Sequence, residues 1–149
     1  MSVLIVGRLI PSSRRSSDVW GGRLRFVFRN FPLTQSHPHA EHAAEAAEAA
    51  AGQEKFWEMH DYLFEHQRAL DNAHLVHYAA ALHLDKEMFE REMTEHMHTN
   101  RVHEDFLSGI RSGVNGTPTF FINGVRHDDS YALETLLTAI EAASHRMGS

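Results

Sequence analysis

With 149 residues, 42% of them hydrophobic and 23% charged, the chain is long enough for one core and too short for two. Nine glycines, four prolines and the absence of any apolar run near the ~18 residues of a helical span exclude collagen-like, disordered and membrane-spanning classes. A net charge of −6 opposes a phosphate backbone, so neither nucleic acid nor a membrane is an expected partner, and zero cysteines exclude disulfides, thiolate-bound zinc and thiol redox chemistry by this chain alone.

The opening residues MSVLIVGRLIPSSRR lack the leading positive charge and small-residue exit of a secretory signal, which predicts a cytoplasmic protein. Val3–Val6 is a β-branched-rich run suited to a buried parallel strand. Pro11–Gly22 (PSSRRSSDVWGG) carries few core-forming side chains and reads as an irregular connection. Leu24–Phe28 reads as a strand that ends at Asn30–Pro32, because Pro32 cannot donate to a ladder and holds Phe31 out of the helical region.

From about Ser36 to Ser112 the periodicity is helical. Ser36 is the expected cap of an Ala-rich helix in which Ala43, Ala47 and Ala50 make a small face, Glu41, Glu45 and Glu48 face water and Gly52 closes the end. A second helix, about Glu54–His66, carries Phe56, Met59 and Leu63 on one stripe. Asp71 is the cap of a third, with Leu75, Ala79 and Leu82 inward, and Asp85 of a fourth, with Phe89, Met93 and Met97 inward. The pattern continues or kinks into a segment with Val102, Phe106 and Ile110 and stops at Gly113. Thr119–Ile122 and Val125–His127 flank Asn123-Gly124, a strong hairpin signal, and a helix opened at Asp129 or Ser130 places Leu133, Leu136, Leu137 and Ile140 together. The order strand, strand, helices, hairpin, helix predicts an α/β or α+β fold with a small mixed sheet.

Pro118 stands directly before a strand that must be central, a position where a proline is tolerated only as the first residue. A cis Thr117-Pro118 bond is one device that turns the chain sharply there and presents the Thr117 backbone to a visitor.

The stretch GVNGTPTFFINGVRH, with RLRFVFRNFPL and EKFWEMHDYLFEHQ, resembles the DsbA-like branch of the thioredoxin superfamily over about residues 22–143. The resemblance implies a single thioredoxin-like α/β domain over 1–149. Residues 1–22 are its divergent start, about 36–112 an all-helical insert, and 113–143 a cis-Pro hairpin with a final helix. It implies that Gly116, Thr117 and Pro118 line a substrate rim for an extended peptide or small thiol. In the family a Cys-x-x-Cys performs thiol–disulfide exchange; here Ile10-Pro11-Ser12-Ser13 lies over it, with too few residues before Leu24 for the usual helix. The expectation is a redox-inactive binding protein without a resident cofactor. A glutathione-dependent enzyme, similar to kappa-class glutathione transferases and hydroxychromene carboxylate isomerases, is the alternative, with Ser12 or Ser13 near the thiol; a fragment of an active oxidoreductase is the third reading. If Val3–Val6 did not fill the sheet centre, the open edge would favour a homodimer.

The 13 histidines include His37, His39 and His42, His74 and His77, and His96, His98 and His103, at spacings that ligate metals. No third ligand stands at a compelling spacing in the sequence, so no native metal site is expected. Their number turns the net charge positive under mild acid.

Overall fold

The computed structural model describes residues 2–7 and 16–19, as backbone strands, and 24–146 in full. Its elements are β1 (Ser2–Gly7), β2 (Ser16–Val19), β3 (Leu24–Asn30), α1 (Ala40–Gly52), α2 (Phe56–Glu65), α3 (Asn72–Ala81), α4 (Lys86–Thr94), α5 (Thr99–Arg111), β4 (Thr119–Ile122), β5 (Val125–His127) and α6 (Leu133–Arg146). The fold class is α/β, as the alternation of patterns predicts.

The strands form one sheet in the order β2-β3-β1-β4-β5. The Val3–Val6 run therefore fills the centre of the sheet, between β3 and the β4–β5 hairpin. Its direction differs from expectation. β1 runs antiparallel to β3, from Ser2 opposite Asn30 to Gly7 opposite Arg25. It runs parallel to β4, from Val3 beside Thr119 to Val6 beside Ile122. A parallel return to β3 would make the intervening segment a crossover, whereas β1 and β3 are antiparallel neighbours. Part of the supposed irregular connection is also regular: Ser16–Val19 pairs antiparallel with Val27–Leu24 as the edge strand β2. An edge strand uses its backbone on one side and can be short and polar, which is why its composition gave no strand signal.

α1 to α4 pack around Phe28 of β3 and bury Phe56, Met59, Leu75 and Phe89 almost completely. The alanines of α1 let this happen, since Ala46, Ala49 and Ala50 are fully buried and bring neighbouring helices close. Phe28 sits edge-on to His60, with ring centroids 4.7 Å apart, and 5.6 Å from Phe56. A smaller cluster joins Phe31 and Val114 to Leu33, Phe106 and Phe121.

Several local expectations are corrected. α1 begins after His39, which makes no side-chain cap, while Ser36 lies in the preceding turn. Glu45 and Glu48 do not face water: they are 3% and 4% exposed. Glu48 accepts from Asn30 Nδ2 (2.7 Å) and pairs with Arg101 (3.2 Å), and Glu45 meets His96 (3.2 Å), so each buried carboxylate has a donor. Met97 and Ile110 are exposed rather than inward. Gly52 ends α1, but the left-handed residue after it is Glu54. Asp71 and Asp85 do cap α3 and α4, accepting from the amides of His74 and Met88.

Candidate functional site

The loop leading into β4 is built by short-range bonds. Gly113 closes α5 with φ +83, a left-handed conformation that suits glycine, and its carbonyl accepts from Arg126 Nη1 at 2.6 Å. The Thr117–Pro118 peptide is cis. Thr119 is buried at the start of β4, and its hydroxyl donates to the Gly116 carbonyl at 2.7 Å, which ties the loop across its base. After β4, Asn123 and Gly124 both take positive φ, as a two-residue hairpin turn requires.

Thr117 and Pro118 form one wall of a half-open cavity of about 440 Å³. The segment before α1, including His37 and Pro38, forms a second wall, and the end of α2 with the turn after it contributes Phe64, Arg68 and Leu70. Leu70 is buried, Phe64 is 39% exposed and Arg68 is exposed, so the cavity has an apolar floor and a cation at its mouth. The turn carrying Arg68 and Leu70 is held at both ends. Tyr78 donates its hydroxyl to the Ala69 carbonyl at 2.7 Å, and burial pushes this phenol above its usual pKa. Asp71 caps α3 and also contacts the His74 ring, and that side-chain hydrogen bond holds its carboxyl below the usual carboxylate range against a desolvation effect of opposite sign.

Of the rim residues read from sequence, Thr117 and Pro118 line the cavity, while Gly116 is outside its wall and serves the loop through its carbonyl. Ser12 and Ser13 lie outside the described residues. β1 leads away from the rim: Val3 stands beside Thr119 at the rim end and Val6 beside Ile122 at the far end. Sequence missed Phe64 and Arg68. Phe64, with Trp57 and Tyr62, is an aromatic of α2 that falls off the buried Phe56–Met59–Leu63 stripe, and that position is the signal that could have found it.

The histidines do not group as their spacing suggested. Four of them stand beside carboxylates instead: His60 with Asp61 at 3.0 Å, His74 with Asp71, His96 with Glu45 at 3.2 Å and His98 with Glu92 at 2.8 Å.

The thioredoxin family profile matches residues 13–142, from the β1–β2 connection to the last turns of α6. The chain belongs to the thioredoxin family. Among curated proteins, this thioredoxin-family chain is 47% identical over 120 residues to the Na(+)/H(+) antiporter NhaA 3 of Salinispora tropica and 48% over 120 residues to NhaA 1 of Salinispora arenicola. It is 42% identical over 124 residues to the Na(+)/H(+) antiporter NhaA of Herminiimonas arsenicoxydans. These matches cover 80–83% of the chain and 18–20% of the relatives, so the chain spans about a fifth of their length. No solved structure matches it. Among the described residues, no helix is long and apolar enough to cross a membrane.

Proposed function

We propose that this chain is a DsbA-like thioredoxin domain that binds an extended peptide segment at the Thr117–Pro118 rim without performing thiol–disulfide exchange itself. The observation that carries the reading is the cavity of about 440 Å³ that the rim shares with Phe64, Leu70 and Arg68. Its size suits one or two side chains of a peptide, with aromatic and aliphatic walls for an apolar residue. Arg68 at the mouth suits a peptide carboxylate or carbonyl as a planar donor. The absence of cysteine removes the nucleophile that exchange requires, and a serine hydroxyl forms no mixed disulfide. The likeness to antiporters covers about a fifth of those proteins and lends no transport step to these residues.

The test is fluorescence anisotropy of labelled unstructured peptides, some with an aromatic residue beside an acidic one, against the chain and two variants. Phe64→Ala and Arg68→Ala are each expected to weaken binding about tenfold, the loss typical of a contact at the centre of a small interface. Both side chains are exposed, so the fold should persist. Unchanged affinity in both variants would move the site elsewhere. Micromolar binding of glutathione in calorimetry, with no peptide bound, would favour the glutathione-dependent reading, and reduction of insulin disulfides above buffer would contradict redox inactivity.

A further inference from the structure

We propose that His42, Glu45 and His96 form a binding site for a divalent transition cation of the zinc class. The inference is independent of the peptide rim and rests on a juxtaposition that linear spacing hides. His42 and Glu45 are three apart on α1 and therefore share a face. His96 arrives from the turn between α4 and α5, more than fifty positions along the chain.

That turn is what aims it. α4 ends in a pair of bonds, His96 N–H to the Met93 carbonyl and Met97 N–H to the Glu92 carbonyl, with His96 itself at φ +51. This is the helix-ending arrangement in which glycine is the usual left-handed residue. The packing of α4 on α1 then brings the imidazole over Glu45. The ligating atoms of the three residues lie within 4.8 Å of one another. His96 Nδ1 is 3.2 Å from Glu45 Oε2. Two ligands held at 2.0–2.1 Å in tetrahedral geometry stand roughly 3.3 Å apart, so this pair already has the spacing of one tetrahedron edge. A small rotation of His42 closes the third vertex, since its ring centroid is 6.1 Å from that of His96.

The surroundings suit a cation. Glu45 is 3% exposed, so its charge is poorly hydrated and is offset by whatever faces it. A cation held by His42 Nδ1 leaves the Nε2–H donating to Asn72 Oδ1, 3.4 Å away on the first turn of α3, the kind of outer partner that fixes a ligating ring. His42 is half-buried and the His96 side chain is 60% exposed, which leaves an entry path and a fourth position for water. Two imidazoles and one carboxylate suit zinc, cobalt or nickel, and not calcium or magnesium, which take oxygen shells. No other group of three such residues comes together among the described ones; His74 with Asp71 and His98 with Glu92 are pairs.

The experiment titrates the tag-free, chelator-stripped chain with zinc against a chromophoric chelator and with cobalt(II) read by its visible absorption. One equivalent is expected, with an intense tetrahedral cobalt spectrum. His42→Ala, Glu45→Gln and His96→Ala are each expected to weaken binding at least tenfold, and the double variant His74→Ala/His77→Ala to leave it unchanged. Circular dichroism checks the fold of each. Since Glu45 is buried, its variant is the one at risk of unfolding, and the two histidine variants decide the matter alone. If His42→Ala or His96→Ala binds zinc as the parent does, or if cobalt keeps its aqueous spectrum, the three residues are an ion pair with a neighbour and the site is refuted.

Discussion

Asn30 is the residue on which the interior polar structure turns. At the end of β3 and 2% exposed, it donates its backbone N–H to Asp105 Oδ2 (3.1 Å) and its side-chain amide to Glu48 Oε1 (2.7 Å), so α1 and α5 are pinned to the strand by one residue. Removing Glu48 takes away the shorter amide bond and the partner of Arg101. A fully buried pair would lose 3 kcal/mol or more, but Arg101 is half-exposed and recovers water, so Glu48→Ala is expected to cost about 2 kcal/mol in urea unfolding and Glu48→Gln about 1. None of this was legible in the sequence: the Ala/Glu repeat of α1 looks like a solvated stripe, and only a long-range partner such as Asn30 or Arg101 shows that Glu48 faces inward. Asp71 is the opposite case, a cap read directly from its position before an apolar run. Because its pKa is depressed in the folded chain, its stabilisation is fully present above about pH 4 and is lost as pH falls through the lower folded value. Asp71→Asn keeps an acceptor for the cap and removes the charge. Its urea midpoint is therefore expected to fall less than the parent's between pH 5 and pH 3; equal slopes would show that other carboxylates carry the acid sensitivity.

The helices show where periodicity holds and where it drifts. Within α2, Phe56, Met59 and Leu63 are all buried, as one stripe over two turns should be. Across residues 85–110 the pattern breaks rather than continuing, because α4 ends at Thr94 and α5 starts at Thr99, leaving Met97 in the turn with no helical phase. Within α5, Ile110 stands eight positions after Val102, about 80° around the helix, and reaches solvent. What fixes α5 instead is a glycine that the pattern passes over. A Cβ at Gly109 would come within 2.7 Å of Phe31 Cδ2, and Phe31 is 2% exposed and stacked on Phe106 at 4.6 Å, so the ring has no room to yield. Gly109→Ala gains roughly 1 kcal/mol of helix propensity and loses about 1–3 to overpacking. The packing loss should win, lowering the thermal midpoint by several degrees; a rise would mean that α5 stands off the Phe31 ring.

At the scale of the molecule, the decisive element is β1, since β3 and β4 do not pair with each other and are joined through it. Its place was legible from a run of β-branched residues and the need for something between the two halves. Its direction was not, because a strand has the same pattern read either way and only its connection decides which way it lies. The consequence is that the rim loop, β4 and β5 share a ladder with the rest of the chain through one strand. Ile5 stands opposite Val27 on one side and beside Phe121 on the other. Proline there has no N–H and fixes φ, so it disrupts the strand where both neighbours meet it. Ile5→Pro is expected to abolish hydrogen-exchange protection in β4 and β5 while α1 to α4, whose core draws on Phe28 and the helices themselves, keep theirs. Peptide affinity should fall in parallel, because Thr117 and Pro118 are placed by β4 and Phe64 by α2 and the cavity needs both. Retained protection in β4 and β5 would show that α5 and the Phe31 cluster, rather than β1, hold the hairpin in place.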